Sequence, residues 1–345
     1  MNRPLSPLNM LLSRHTRRRE FITFLGGGAI VWPNIAGAQQ TDRIRTVGIL
    51  LGSTDNPEMR GLLGAFMESF KALGWTEDRN VRFDVRWSGV YRENNAVQAQ
   101  DLVRQQPDVI FAAPSNVVIA LQKQTRTIPI VFANVSDPIA QGVVDNLAHP
   151  TGNLTGFSNL EQSLVGKWLQ ILKEAAPGLT RAALMIHVGN AASPIWYRMF
   201  NDVAPTLAIE PISAPIRNQN EIEGVIKSMA AQPHGALVVA GDNMVSDPPV
   251  RRSIVDLTAT YRLPALYGEL PFSQDGGLIS YGVDRIDQFQ RAASYVDRIL
   301  KGEKPSDLPV QQPTKFQFVI NIKTARALGL ELPLTLQMTA DEVIQ

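Results

Sequence analysis

VGILLGSTDNPEMRGLLGAFMESFKALG, residues 47–74, joins two kinds of hydrophobic spacing across a short polar break. Val47 to Leu51 form a continuous apolar run of strand length, which reads as a strand buried on both faces. Met59, Leu62, Leu63, Phe66, Phe70 and Leu73 then recur at helical spacing, so one face of a helix is apolar, and Gly74 suits its end. A buried strand feeding an amphipathic helix through small polar residues is the repeating half of a parallel α/β sheet.

The same rhythm continues outward. Val81, Phe83, Val85 and Trp87 alternate as in a half-buried strand. A helical stretch over 94–105 leads to the strand "DVIFAA", and another over 116–125 leads to "IPIVFA". After "GNLTGFSN" the pattern restarts. Leu164, Trp168, Ile171 and Leu172 mark a helix before "AALMIH". Helices over 194–207, 221–231 and 249–261 then alternate with strands near "IEPISA", at "GALVVAG" and at "LPALYG". Two series of this kind predict an α/β protein with two doubly wound parallel-sheet lobes joined by a hinge. The first lobe is expected over 44–155 plus about 281–310, the second over 156–280 plus about 311–345. "GGLISYGVD" is expected to cross back to the first lobe, ahead of an amphipathic helix carrying Ile286, Phe289, Ala293, Val296 and Leu300.

Residues 1–38 read differently. "TRRREFITFLGGGAIVWPNIAGAQQ" (16–40) orders a basic segment, a short apolar core and Ala36-Gly37-Ala38, a site that a signal peptidase would cut. Arg18-Arg19 ahead of Glu20-Phe21-Ile22 fits a twin-arginine export signal, and an Arg-rich secretory signal is the alternative. Without residues 1–38, which hold five arginines and one glutamate, 33 basic and 32 acidic residues become 28 and 31, a net charge of −3. That balance offers no electrostatic footprint for nucleic acid. The chain has no cysteine, which excludes thiolate metal sites, cysteine nucleophiles and a lipid-anchored cysteine. A free exported protein is then expected in a periplasm.

In open parallel sheets, ligands meet the carboxyl ends of the strands, where helix N-termini present unpaired N–H groups. The candidate binding residues are therefore those after each apolar run: Ser53, Ser115, Asn116, Asn134 and Asp137 in the first series, and Asn190, Asp242 and Glu269 in the second. Each also has an ordinary explanation as a helix cap or turn residue. Their weight comes from six tips, in two lobes, converging on one cleft. There is no G-x-G-x-x-G after the first strand, no P-loop and no paired-histidine spacing, so neither a catalytic residue, a metal nor a cofactor is expected.

Longer phrases carry a more specific resemblance. "TIPIVFANVSDPIAQGVVDNLAHPTGNLTGFSN", "GGLISYGVD", "YVDRILKGEKPSDLPVQQPTKFQFVINIKTARALGL" and the closing "ADEVI" resemble periplasmic solute-binding proteins of ABC importers, in the family that includes tryptophan- and other aromatic-amino-acid-binding members. The chain departs from that pattern at His149-Pro150-Thr151-Gly152-Asn153 and at Ala113-Pro114-Ser115-Asn116. The resemblance implies a type I periplasmic-binding fold and a monomer that closes on a small solute and presents it to an inner-membrane permease. For an amino acid, it implies a carboxylate held near Ser53, Ser115 and Asn116, and an ammonium near Asp137, Asp242 or Glu269. The side chain would stack on Tyr267 or Tyr281, with core packing the alternative role for both. An exported enzyme using Asp137 and Asp242 as an acid–base pair, and a periplasmic sensor partnering a membrane kinase, are the alternatives.

Overall fold

In the computed structural model, residues 43–89, 92–161 and 163–345 are described; the expected leader and its twin-arginine pair lie outside the described residues. The opening unit folds as its spacing requires. Strand β1 (Arg45–Leu51) is buried from Val47 onward and runs into helix α1 (Pro57–Ala72), which buries Met59, Leu62, Leu63, Phe66 and Phe70. Asn56 caps α1 by accepting the Met59 N–H at 3.0 Å, and Pro57 at the first helical position sacrifices no hydrogen bond. β2 (Val81–Trp87), α2 (Arg92–Arg104), β3 (Val109–Ala113), α3 (Ser115–Gln124), β4 (Ile130–Val135) and β5 (Leu154–Ser158) complete a five-stranded sheet. Its order is β2-β1-β3-β4-β5, and every pairing is parallel.

The second series contains α4 (Leu164–Ala175), β6 (Arg181–His187), α5 (Ser193–Val203), β7 (Glu210–Ile216), α6 (Ile222–Ala230), β8 (Gly235–Val239), α7 (Pro248–Thr260), β9 (Ala265–Tyr267), α8 (Pro271–Gln274) and β10 (Ile279–Val283). After α9 (Arg285–Leu300) come β11 (Phe316–Asn321), α10 (Ile322–Leu328), α11 (Leu334–Met338) and β12 (Glu342–Ile344). The second sheet runs β12-β11-β10-β9-β8-β6-β7, and only β10 and β11 pair antiparallel. Its β7-β6-β8-β9-β10 portion repeats the strand order of the first sheet. In each sheet the order reverses between two neighbouring strands, β1 and β3 in one and β6 and β8 in the other. Those reversals open a crevice at the strand ends.

Both sheets are covered on both faces. Along β3, Val109, Phe111 and Ala113 enter one apolar cluster while Ile110 and Ala112 enter the opposite one, which is why its sequence is an unbroken apolar run. "GGLISYGVD" does not cross between sheets as the spacing alone suggested. It forms β10, bonded within the second sheet between β9 and β11. The crossing comes one residue later: Asp284 caps α9 by accepting the Asp287 N–H at 3.1 Å. Phe289, Ala292, Ala293 and Val296 of α9 then pack on the first sheet's core. The chain therefore passes between the sheets three times, after β5, after β10 and before β11.

Candidate functional site

The carboxyl ends of the two sheets face one cleft of about 740 Å³, mouth included. Seven of the nine residues expected from the sequence line it: Ser53, Ser115, Asn116, Asn134, Asn190, Asp242 and Glu269. Asp137 and Tyr281 do not.

On the first lobe, Ser53 follows β1, and its Oγ donates to the Thr54 carbonyl at 3.1 Å. Ser115 opens α3 behind Pro114, which supplies no side-chain cap. The first N–H groups of that helix therefore face the cleft without an intrahelical acceptor. The Ser115 hydroxyl accepts the Ser136 N–H at 3.3 Å. Asn134 accepts from the Asn159 amide at 2.5 Å, and Asn159 in turn accepts from Ser136 Oγ at 2.7 Å. Asn116 does something its position in the chain does not advertise. It donates to the Gly189 carbonyl and accepts the Ala191 N–H, both at 3.2 Å, so it ties α3 to the backbone of the opposite lobe.

On the second lobe, the Asn190 side chain accepts the Ala192 N–H at 2.8 Å. Asp242 follows β8 and accepts the backbone N–H groups of His187 at 2.9 Å, Met244 at 2.8 Å and Val245 at 3.1 Å. Burial nevertheless raises its pKa above the usual carboxylate value, against those donors. Its oxygens already accept three backbone N–H groups and hold the strand tips in place, so it is a poor seat for an ammonium. Glu269, just beyond β9, keeps more capacity: Arg285 donates to one of its oxygens at 3.2 Å. Its pKa is also raised, first by burial, while Arg285 pulls the other way.

The two absentees have physical reasons. Asp137 sits at the exposed turn after β4 with φ at +41° and accepts the Ala140 N–H at 3.0 Å, so it builds a turn. The proposed acid–base pair of Asp137 with Asp242 is therefore not assembled in the cleft. Tyr281 lies on β10 with its ring stacked on Phe316 and edge-on to Phe318, each at 5.8 Å, within the second lobe's core. Tyr267 is fully buried and bonded to Thr258 at 2.8 Å. Neither tyrosine lines the cleft.

The aromatic surface comes from residues the sequence reading assigned to packing or left out. A small side recess shares Asn134, Asn159, Gly241, Glu269 and Arg285 with the cleft, and is walled by Leu164, Trp168, Trp196 and Val283. Trp168 and Trp196 stack at 5.2 Å with 19° between their planes. The Trp168 indole N–H donates to the Tyr281 carbonyl at 2.7 Å, which fixes the ring. Two glycines keep the junction open. A Cβ at position 241 would fall 2.4 Å from Glu269 Oε1, and one at position 268 would fall 3.2 Å from Trp168.

Asn56, Glu58, Asp247 and Arg285 also line the cleft and were missed. A signal existed for the first three, since Asn56, Glu58 and Asp247 stand at helix starts that follow strand tips. Arg285 also starts a helix after a strand tip, but which lobe it serves depends on where the chain crosses. The lobes touch directly: Thr54 donates to Asp247 at 3.0 Å and Arg251 to Glu58 at 2.7 Å. The cleft is therefore closed. Among the described residues, no group of three or more histidine or acidic side chains is placed to hold a metal ion, and no helix is long and apolar enough to cross a membrane.

Residues 52–344 match the family described as ABC transporter substrate binding protein. The chain is 22% identical over 290 residues to a tyrosine-binding protein of Clostridioides difficile, covering 84% of this chain and 81% of that one. A conserved domain protein from Vibrio cholerae superimposes with a TM-score of 0.81 at 23% identity, over 87% of this chain and all of that one. An ABC domain from Streptococcus pneumonia in complex with L-Trp gives a TM-score of 0.81 at 22% identity, over 88% of this chain and all of that one. These likenesses establish the two-lobed type I periplasmic-binding fold.

Proposed function

Because the chain belongs to the ABC transporter substrate binding proteins, which carry small solutes outside the cytoplasm to a membrane transporter, we propose that its own solute is an α-amino acid with a flat apolar side chain. The observation that carries this reading is the recess. It places two stacked indoles beside a buried carboxylate, Glu269, within a cleft whose far wall holds the uncapped start of α3. The N–H groups of Ser115 and Asn116, with the Ser53 hydroxyl, take the solute carboxylate. A helix N-terminus favours an anion by about 0.3–1 kcal/mol, and by about 2 when partly buried. Glu269 and the amide oxygens of Asn134 and Asn159 take the ammonium, and hydrogen bonds to charged groups contribute about 1.5–3 kcal/mol each. The side chain enters the recess against Trp168. The tyrosine-binding relative and the L-Trp complex support an amino acid as the class.

The solute is bound and released unchanged, by a monomer delivered to the periplasm through the leader carrying Arg18-Arg19. With Asp137 outside the cleft, the pair of Asp137 with Asp242 is not arranged there for acid–base work.

Calorimetry on ligand-stripped protein tests the assignment with L-tryptophan, L-tyrosine, L-phenylalanine and L-leucine. Tryptamine lacks the carboxylate and indole-3-propionate lacks the ammonium. Each is expected to bind at least about tenfold more weakly than L-tryptophan, since each removes a charge-assisted contact. Binding of a pentose or hexose with no response to any amino acid would sink the reading. Recovery of the bound amino acid chemically intact, by mass spectrometry, checks that no reaction accompanies binding.

A further inference from the structure

Four charged side chains bridge the lobes beside the cleft, and the amino-acid reading does not use them all. On the first lobe, Glu58 stands in the first turn of α1 and Arg285 begins α9. On the second, Arg251 projects from α7 and Glu269 follows β9. Across the gap, Arg251 donates to Glu58 at 2.7 Å and Arg285 to Glu269 at 3.2 Å. Each lobe contributes one cation and one anion in opposite sense, so both pairs draw the lobes together. The cluster is largely dry: side-chain exposure is 7% for Arg251, 11% for Glu269, 18% for Arg285 and 28% for Glu58. In such surroundings charge pairs are screened less than at the surface.

The same cluster contains the partners that opening would leave behind. Within the first lobe, Glu58 lies 3.5 Å from Arg285. Within the second, Arg251 donates to Asp275 at 2.8 Å. If the lobes part, Arg285 keeps Glu58 and Arg251 keeps Asp275, so neither guanidinium is stranded without a counter-charge. A buried pair that lost one member outright would resist separation strongly; here each cation exchanges two carboxylates for one. The arrangement favours closure while leaving it reversible.

We propose that Glu58, Arg251, Arg285 and Glu269 form an ionic latch that sets the population of the closed state, and that Glu58 is a positioning residue for solute retention acting through Arg251. A solute that favours the closed form then binds more tightly by the fraction of molecules already closed.

The absence of cysteine in the natural chain allows paired spin labels at exposed Gln100 on α2 and Ser228 on α6, one per lobe. Their distance distribution is read in protein without solute, so the result does not depend on the amino-acid assignment. In about 20 mM salt, Glu58→Gln is expected to raise the ratio of open to closed molecules by about fivefold over the natural protein. About 500 mM salt, which favours the solvated charges of the open form, moves the natural protein towards the variant and shifts the variant less, because only the Arg285–Glu269 pair remains there across the lobes. Glu58→Asp, which keeps the charge, stays with the natural protein. Identical distributions for the natural protein and Glu58→Gln would overturn the latch. If Glu58→Gln does not fold, a natural protein indifferent to salt, with Glu58→Asp unchanged, overturns it equally.

Discussion

The two lobes repeat one strand order, yet their rims are put to different uses. The first lobe reaches outward. Thr54, Glu58 and Asn116 all bond to groups of the second lobe. The second lobe turns inward at the matching places, where Asp242 and Asn190 hold their own backbone N–H groups. One topology thus supplies equivalent positions, and the local supply of backbone donors decides what each side chain does. Where donors crowd a tip, as around Asp242, a carboxylate is consumed by structure. Where the tip faces another lobe, as at Asn116, the side chain becomes a tie between moving parts.

This contrast can be broken most forcefully at Asp242. Asp242→Ala leaves the N–H groups of His187, Met244 and Val245 without their acceptor, and each buried unsatisfied group costs about 1–3 kcal/mol. A loss of at least about 3 kcal/mol is expected in urea unfolding, and a loss under about 1 kcal/mol would show that the second rim is not structural in this sense. Trp168→Ala probes the recess behind the same rim. Trp168 is 2% exposed, and removing a buried indole costs about 3–5 kcal/mol. Trp168→Phe keeps most of that stability and is expected to shift preference among L-tryptophan, L-phenylalanine and L-leucine, read by calorimetry. An unaltered order of affinities would remove the recess from the site.

Asn116→Ala tests the outward-reaching rim. Its two bonds exist only when the lobes meet, so global stability is expected to change by less than about 1 kcal/mol, while solute dissociation speeds up about tenfold. Stopped-flow release measures this, and a large loss of stability with unchanged release would invert the comparison.

Glu269 gives a subtler effect. Its pKa is raised from 4.5, first by burial, so the folded protein binds that proton more tightly than the unfolded chain does. The group's contribution is therefore greatest below pH 4.5 and declines as pH rises through the folded value. Glu269→Gln should flatten that part of the stability profile, followed by thermal unfolding from acid to neutral pH; an unchanged slope would show that Glu269 is not the group responsible. The smallest change is expected at Asp137, where Asp137→Ala removes one exposed turn bond and alters stability by about 1 kcal/mol or less, with solute affinity untouched.

Much of this was legible in the chain. Val47–Leu51 and "VIFAA" could only be strands buried on both faces, and the helical spacing between such runs required parallel units. Small polar residues at strand ends marked the cleft, and seven of the eight named there do line it. Asp137 misled because a turn aspartate and a ligand aspartate look alike in sequence. Tyr281 misled because a strand residue beside the hinge faces either the core or the cleft according to a register that no local pattern reveals. Trp168 was read as core, and it is; that the same ring also walls a recess depends on Trp196, Leu164 and Val283 arriving from other elements.

Hydrophobic periodicity is a local property of the chain, because burial repeats with the geometry of each strand and helix; periodicity alone therefore settled the elements and the two series. The Arg251–Glu58 tie joins residues 193 positions apart, and the Asn116 tie and the indole-walled recess likewise assemble parts distant in sequence. Distances and burial between such parts are set only when the three crossings bring both lobes together, and it is those distances, not the residue types, that decide whether a charge caps a helix, holds a solute or fastens one lobe to the other.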